Sequence, residues 1–244
     1  RPVGESRLEA QAESFRDLRE KRRMYGLRDF GDNGYSNLQH DLIQDLLVQF
    51  VRTGNPAELS FVAPMVRHYC DVDVRHFHTD KRLEGGGILP DKEDYQLYTS
   101  PHTALCVSMS QSYVEGLLNY AFLTGDRRAS EVAVKMGEAM MAVMEPDGAT
   151  YVEARPDAQQ WVADNGQALI GLCALYEVTG REEYLEAARR CAAYLLRTQN
   201  EDGSWFARSP SALDQAAGFE RTVGAAENIF SDKGGSASRS FFAA

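Results

Sequence analysis

An all-α chain built as an (α/α) toroid or an open array of helical hairpins is the fold class this sequence predicts. Three observations carry it. An apolar stretch running into Thr-Gly and then into a fresh amphipathic stretch occurs three times: LLVQFVRTGNPAEL around Thr53-Gly54, LLNYAFLTGDRRAS around Thr124-Gly125, and LCALYEVTGREEYL around Thr179-Gly180. Each reads as one helix ending at Gly and a second starting at once, which is an antiparallel hairpin. The copies are spaced 71 and 55 residues apart, longer than the ~34 residues of short-period helical repeats, so one plan is repeated with connecting loops of different length.

The elements follow in order. Residues 5–24 predict a charged amphipathic helix with Leu8, Phe15 and Leu18 among its few apolar positions; Arg16, Arg19, Lys21, Arg22 and Arg23 suit a helix C-terminus. A Gly/Asp loop, YGLRDFGDNGYSN, comes next. Leu38, Leu42, Ile43, Leu46, Leu47 and Phe50 then recur at helical spacing up to Gly54. Asn55 as N-cap, Pro56 at the first helical position and Glu58 in the first turn restart the chain, and that helix is expected to run to about Arg75. A loop over about 79–100 holds Gly85-Gly86-Gly87 and Pro90. The second hairpin is expected over about 102–144, with Asp126 capping its second helix and MGEAMMAVM as a Met-rich core face. After EPDGATYVEARPD the third hairpin covers about 158–199, where Tyr184, Leu185, Ala188, Cys191, Ala192, Leu195 and Leu196 draw a buried stripe. NEDGSW is a turn, about 211–230 a last helix, and 233–244 a Gly/Ser-rich tail carrying Phe241 and Phe242. No sheet is expected. About eight helices result, against the twelve of a closed six-hairpin ring, so the toroid is expected to be incomplete.

The bulk numbers narrow the function. A chain of 244 residues forms one domain over 1–244 with a substantial core. Its formal net charge of −10 argues against nucleic acid and anionic membrane as partners, and no apolar run approaches the ~18 residues of a membrane span. It opens on Arg-Pro-Val rather than Met, as expected of a piece processed or excised from something longer. Cys70, Cys106, Cys173 and Cys191 are isolated, without CxxC, and are expected in helices as buried free thiols. Nucleophile elbow, P-loop, GxGxxG and HExxH motifs do not occur in the sequence, so serine-hydrolase and nucleotide chemistry lack support.

Hairpin topology gathers the remaining candidates. All Thr-Gly turns lie at one end of an array, so residues just before a first helix or just after a second share the other end. That rim collects Arg28, Asp32, Asn37, His40 and Asp41, then His76, His78 and Asp80, then His102, then Trp161, Asp164 and Asn165, then Trp205. Four of the five histidines are there, His68 lying deeper, and loops on one face of a rigid scaffold are where function concentrates. His76, His78 and Asp80 are metal-ligand types, yet HxH presents one face on a strand and here it ends a helix; imidazoles capping helical carbonyls fit as well, and no cofactor is expected. His40 and Asp41 also read as ordinary polar residues at a helix start. Glu115 is a carboxylate within the apolar QSYVEGLLNYAFL, where it must be paired or protonated. Trp161 and Trp205 either stack on sugar rings or cover the core.

Several of these segments together resemble a family. YGLRDFGD, YSNLQHD, RTGNP, RHYCDVDVRHFHTD and EGLLNYAFLTGD, in that order over roughly residues 25–130, are similar to the central helical-toroid domain of exo-acting rhamnogalacturonan lyases. Beyond 130 the likeness is general, to toroids acting on sugars. The resemblance implies an oligosaccharide or polysaccharide substrate containing a uronic acid, cleaved by β-elimination. That reaction needs a group that neutralises the sugar carboxylate, a base for the C5 proton and an acid for the leaving O4. His40, His76, His78, His102 and Tyr113, with Glu115, are the candidates for proton transfer, His78 and His102 being the expected pair. Arg28, Asn37 and Arg75 are candidates for the carboxylate, with Asp32, Asp41, Trp161, Asn165 and Trp205 as further substrate contacts. A glycoside hydrolase using two carboxylates such as Asp41 with Glu115 or Asp164 is the alternative enzyme, and a noncatalytic carbohydrate-binding helical domain the alternative class. Further domains or another chain would complete the ring.

Overall fold

The computed structural model describes residues 27–29, 35–37, 41–89, 106–150, 160–205 and 208–209. Three consecutive helical hairpins make up this part of the chain. The first pairs α1 (Leu42–Thr53) with α2 (Pro56–Val72), the second α3 (Glu115–Thr124) with α4 (Arg127–Ala142), and the third α5 (Val162–Thr179) with α6 (Glu182–Thr198). Within each pair the helices pack together. Across pairs α1 touches α3 and α3 touches α5, while α2 touches α4 and α4 touches α6. The first helices therefore form an inner layer and the second helices an outer one, the arrangement of an (α/α) toroid opened into an arc. The expected leading helix at 5–24, trailing helix at 211–230 and tail at 233–244 lie outside the described residues.

The Thr-Gly signature has one structural cause in all three copies. Gly54, Gly125 and Gly180 take left-handed backbone angles, with φ of 66°, 76° and 66°, and each N–H donates 2.8 Å back to the carbonyl four residues earlier, on Phe50, Ala121 and Tyr176. That is the left-handed helix stop, and a residue without Cβ adopts it at no steric cost. The threonine does the rest. The hydroxyls of Thr53, Thr124 and Thr179 accept the backbone N–H of Asn55, Asp126 and Arg181 at 3.1, 3.3 and 3.3 Å, satisfying a donor at the start of the next helix. Asn55 and Asp126 then cap that helix through Ala57 and Ala129, as their side chains predict.

The core fills the space between the two layers. Ile43 and Leu47 of α1, Val62 and Val66 of α2, Leu117 of α3, Met136 and Met140 of α4, Leu172 and Leu175 of α5 and Tyr184 of α6 are buried within it. The Met-rich stretch is thus core, as its pattern predicts. Loops after α2 and α4 each rest on the outer helix of the next hairpin: Gly85 lies against the Lys135 carbonyl and Gly148 against that of Arg190, too close for any Cβ. The matching turn after α6, at Gly203, meets its own Gln199 among the described residues.

The structure departs from the sequence reading in five places. Leu196, expected in the buried stripe of α6, is 71% exposed, and Tyr194 is buried instead. Short antiparallel pairs exist where no sheet is expected: β1 (Leu27–Asp29) with β2 (Tyr35–Asn37), β3 (Ile88–Leu89) with β4 (Cys106–Val107), and β5 (Gln160–Trp161) with β6 (Arg208–Ser209). They are two or three residues long, below what alternating hydrophobicity reveals. Cys106 consequently sits in a strand rather than a helix, and Cys173 is exposed, while Cys70 and Cys191 are buried free thiols. α2 stops at Val72, three residues early, because Asp73 leaves the helix to make a strand-like contact through Ile88. α3 starts at Glu115 and not near 102, because β4 and a 3-10 turn at Met109–Gln111 occupy the approach.

Candidate functional site

The N-terminal ends of the inner helices and the C-terminal ends of the outer ones share one end of the arc, as hairpin topology requires. Here the loops knit together. Ile88 donates to the Asp73 carbonyl, Ser108 to the Gly87 carbonyl, and Gly87 to Ser112 Oγ, each at 2.8–2.9 Å. Below them, Tyr69 donates its hydroxyl to the Gln111 carbonyl at 2.5 Å and accepts the Tyr113 N–H at 2.8 Å. The end of α2 and the approach to α3 are thereby joined through one buried phenol.

Three carboxylates mark this end and the inner face that descends from it. Asp41 caps α1 through Gln44 N at 3.2 Å and also accepts Gly116 N of α3 at 2.9 Å. It is 8% exposed. Burial pushes its carboxyl up to about 7 from an ordinary 3.8, against the two backbone N–H groups that stabilise the anion, and the charges of Glu115 and Asp45 add to the rise. Glu115, the first residue of α3, is half-buried on the inner face, and its carboxyl is raised by burial and then by the charge of Glu177 on α5. Glu177 itself is exposed. The thiol of Cys173, one turn before it, is raised by partial desolvation and by the charges of Glu177 and Glu115. Beside these groups the inner face is apolar and uncovered: Val48, Val51, Phe122, Leu123, Ile170 and Val178 are all exposed, Phe122 at 89%.

Each candidate from the sequence can now be placed. Asp41 and Glu115 come together at the start of α3. Tyr113 stands inside the core at 3% exposure with its hydroxyl toward Gln111 Oε1, so the phenol faces protein rather than the rim. Asp164 and Asn165 are also buried: Asp164 accepts Ser108 Oγ at 2.6 Å and Ser110 N at 2.9 Å, and Asn165 accepts Thr150 N at 2.8 Å. Burial raises the Asp164 carboxyl, and its Ser108 bond opposes that. Both residues tie loops to the top of α5. Trp205 donates its indole N–H to the Leu195 carbonyl at 2.8 Å, fastening the turn after α6.

Arg75, His76, His78 and Asp80 lie on the loop after α2. Arg75 exchanges backbone bonds with Gly85 and Gly86. His76 is exposed and directs Nε2 to the Cys70 carbonyl at 2.6 Å. His78 Nδ1 lies 2.9 Å from Asp80 N and 3.2 Å from the Asp80 carbonyl, so the ring is turned into its own loop. Asp80 pairs with Arg82 at 2.7 Å, and that guanidinium holds its carboxyl down at about 2. These donors are turned to separate partners, and among the described residues no three His, Cys, Asp or Glu side chains converge to hold a metal. Phe77 projects from this loop at 75% exposure, with the Lys81 ammonium 4.5 Å from its ring centroid. Arg28 and Asn37 lie on β1 and β2 and Trp161 on β5, their side chains outside the described residues; His40, Asp32 and His102 are outside them entirely.

Glu177 is the group sequence reasoning missed, although a signal for it exists. Aligned on Thr-Gly, the three copies place Val51, Phe122 and Glu177 in one column. A single charged member in an otherwise apolar column of a repeat is out of pattern.

Comparison with known proteins agrees with this architecture. No family model matches the chain. Among solved structures, cellobiose 2-epimerase from Bacillus thermoamylovorans superposes with a TM-score of 0.55 at 12% identity, over 86% of this chain and 60% of that one. A sugar epimerase from a ruminal bacterium gives 0.50 at 13% identity, over 69% and 44%. The fold is that of the (α/α) toroids. In sequence, the non-reducing end beta-L-arabinofuranosidase of Bifidobacterium longum subsp. longum is 24% identical over 150 residues, 61% of this chain and 18% of the relative. The chain thus spans less than a fifth of that relative's length. The structural matches support the toroid, and the lyase likeness rests on the motifs alone.

Proposed function

We propose that this chain is the helical part of a carbohydrate-active enzyme that cleaves glycosidic bonds by hydrolysis, with Glu115 as the proton donor. The observation that carries the reading is the half-buried Glu115 carboxyl on the inner face of a sugar-processing type of scaffold, its pKa raised by burial. A general acid must hold its proton near the working pH and reach the leaving oxygen, and burial plus a neighbouring anion shift the Glu115 carboxyl in that direction. Glu177 is the second carboxylate of the pair, one inner helix along, and Phe77 on the rim loop offers a sugar-stacking face. The arabinofuranosidase similarity favours a furanosidic or otherwise neutral glycoside. Further hairpins, from other domains or another chain, close the ring over the uncovered apolar residues of the inner face.

β-Elimination on a uronic-acid glycan such as rhamnogalacturonan is the second reading, favoured by the DVDVRHFHTD loop, which puts His76 and His78 at the same end as Glu115. Elimination also needs an acid for the leaving group, so Glu115 serves both readings. A panel of arabino-oligosaccharides and uronate-containing oligosaccharides separates them. Hydrolysis releases reducing sugar without ultraviolet absorbance, whereas elimination leaves an absorbing unsaturated uronate. Glu115→Gln is expected to lower turnover by ~100-fold or more with the fold intact by circular dichroism. Full turnover in that variant would remove the assignment.

A further inference from the structure

The start of α3 is unusual in how its first turn is satisfied. The residue before it is Val114, which has no side-chain acceptor, so α3 carries no cap of its own. The missing acceptor comes from another helix: Asp41 Oδ2 takes Gly116 N at 2.9 Å while Oδ1 takes Gln44 N of its own helix at 3.2 Å. We propose that Asp41 is a positioning residue for Glu115: one carboxylate shared by the starts of α1 and α3 holds the first turn of α3 against α1, and so fixes where the Glu115 carboxyl stands on the inner face. This rests on the reading of Glu115 as the proton donor.

Three further features converge on the same bond. Asp41 has φ 50° and ψ 57°, the single non-glycine residue at positive φ among those described, and strain of this kind persists only where the surroundings impose it. Gly116 is the one residue type that admits the bond, because a Cβ there would overlap the Asp41 carboxylate and stand 2.8 Å from Gln44 N. One turn further along, Asn119 Nδ2 donates to Gln44 Oε1 at 2.7 Å, locking the same two helices in register. The groups bearing on Asp41 are Glu115 from α3, Asp45 from α1 and the Tyr69 phenol from α2; the two backbone N–H groups are what stabilise its charge. The clamp therefore depends on protonation, with burial setting its midpoint near neutrality.

The test needs no substrate, so it stands apart from the fate of the enzymatic reading. In the wild-type chain, the Gly116 amide proton shift is followed by NMR from pH 5 to 9, and it is expected to titrate with a midpoint near that of Asp41. In Asp41→Asn, the Glu115 side-chain carboxyl, followed by its carbon-13 shift, is expected to titrate lower as the first turn of α3 loosens. Gly116 is expected to exchange its amide proton about tenfold faster, the size of a lost cap. Asp45→Asn, on the same helix but outside the clamp, leaves Gly116 exchange unchanged. A cap serving α1 alone would alter Gln44 and leave Gly116 and Glu115 untouched, and that result overturns the proposal. Should Asp41→Asn not fold, a Gly116 amide shift that stays flat across the wild-type titration overturns it equally.

Discussion

The two ends of the hairpins solve the same problem by different chemistry. At the turn end, the partners are local: in all three copies glycine closes one helix and threonine accepts an N–H at the start of the next, and in two of them Asn55 or Asp126 adds a side-chain cap. At the opposite end, the partners come from far along the chain. Asp41 reaches Gly116, Asp164 reaches Ser108 and Ser110, and Tyr69 reaches Gln111 and Tyr113. Local satisfaction leaves exposed, unremarkable turns. Distant satisfaction concentrates buried carboxylates with raised pKa, which is the raw material of a site.

That contrast can be attacked in order of expected effect. The largest is pH dependence. Asp41 keeps its proton in the folded chain up to about 7 and loses it near 3.8 when unfolded, so the folded state binds the extra proton between those values. Its contribution is fully present below about pH 4 and disappears as pH rises through 7, with a ceiling of about 4 kcal/mol. Urea melts at pH 4.5 and 8 are expected to show this decline, flattened in Asp41→Asn; Asp164 and Glu115, also raised, leave a residual slope of the same sign.

Next comes Gly116→Ala. The position is helical, where alanine is intrinsically preferred, so any loss arises from pressing α1 away from α3; roughly 1–3 kcal/mol is expected in denaturant melts. Gly125→Ala is the matched change at the turn end. Among the described residues nothing lies within 4 Å of its Cβ, and the left-handed backbone, at φ 76°, opposes the change by about 1–2 kcal/mol. Smallest is Thr179→Val, which removes the hydroxyl acceptor for Arg181 N and is expected to lower stability by about 1 kcal/mol. If Gly116→Ala proved harmless while Gly125→Ala did not, the distinction between the two ends would collapse.

The same contrast explains what the sequence revealed. Turns are written in adjacent letters, so the three hairpins, the Asn55 and Asp126 caps and the Met-rich core face were legible. Topology then placed Asp41, the His76–Asp80 loop, Asn165 and Trp205 at one end. What it did not reveal was which of these faces solvent. Tyr113, Asp164 and Asn165 are polar residues at an element boundary, which resembles a rim, yet each is consumed by a partner 2 to 56 residues away. Asp41 and Gly116 stand 75 residues apart, and no periodicity links them. Glu177 was hidden for the opposite reason, lying within a turn copy whose repetition drew attention to the glycine. The β pairs were too short to leave an alternating pattern.

The proposal under test is that sugar is handled on the inner face between Glu115, at the start of α3, and Glu177 of α5. Titrating the nitrogen-15-labelled chain with arabino-oligosaccharides tests it directly. Amides of Asp41, Glu115, Gly116, Cys173 and Glu177 are expected to shift while those of Gly54 and Gly125 stay in place. Shifts confined to the turn glycines would contradict it.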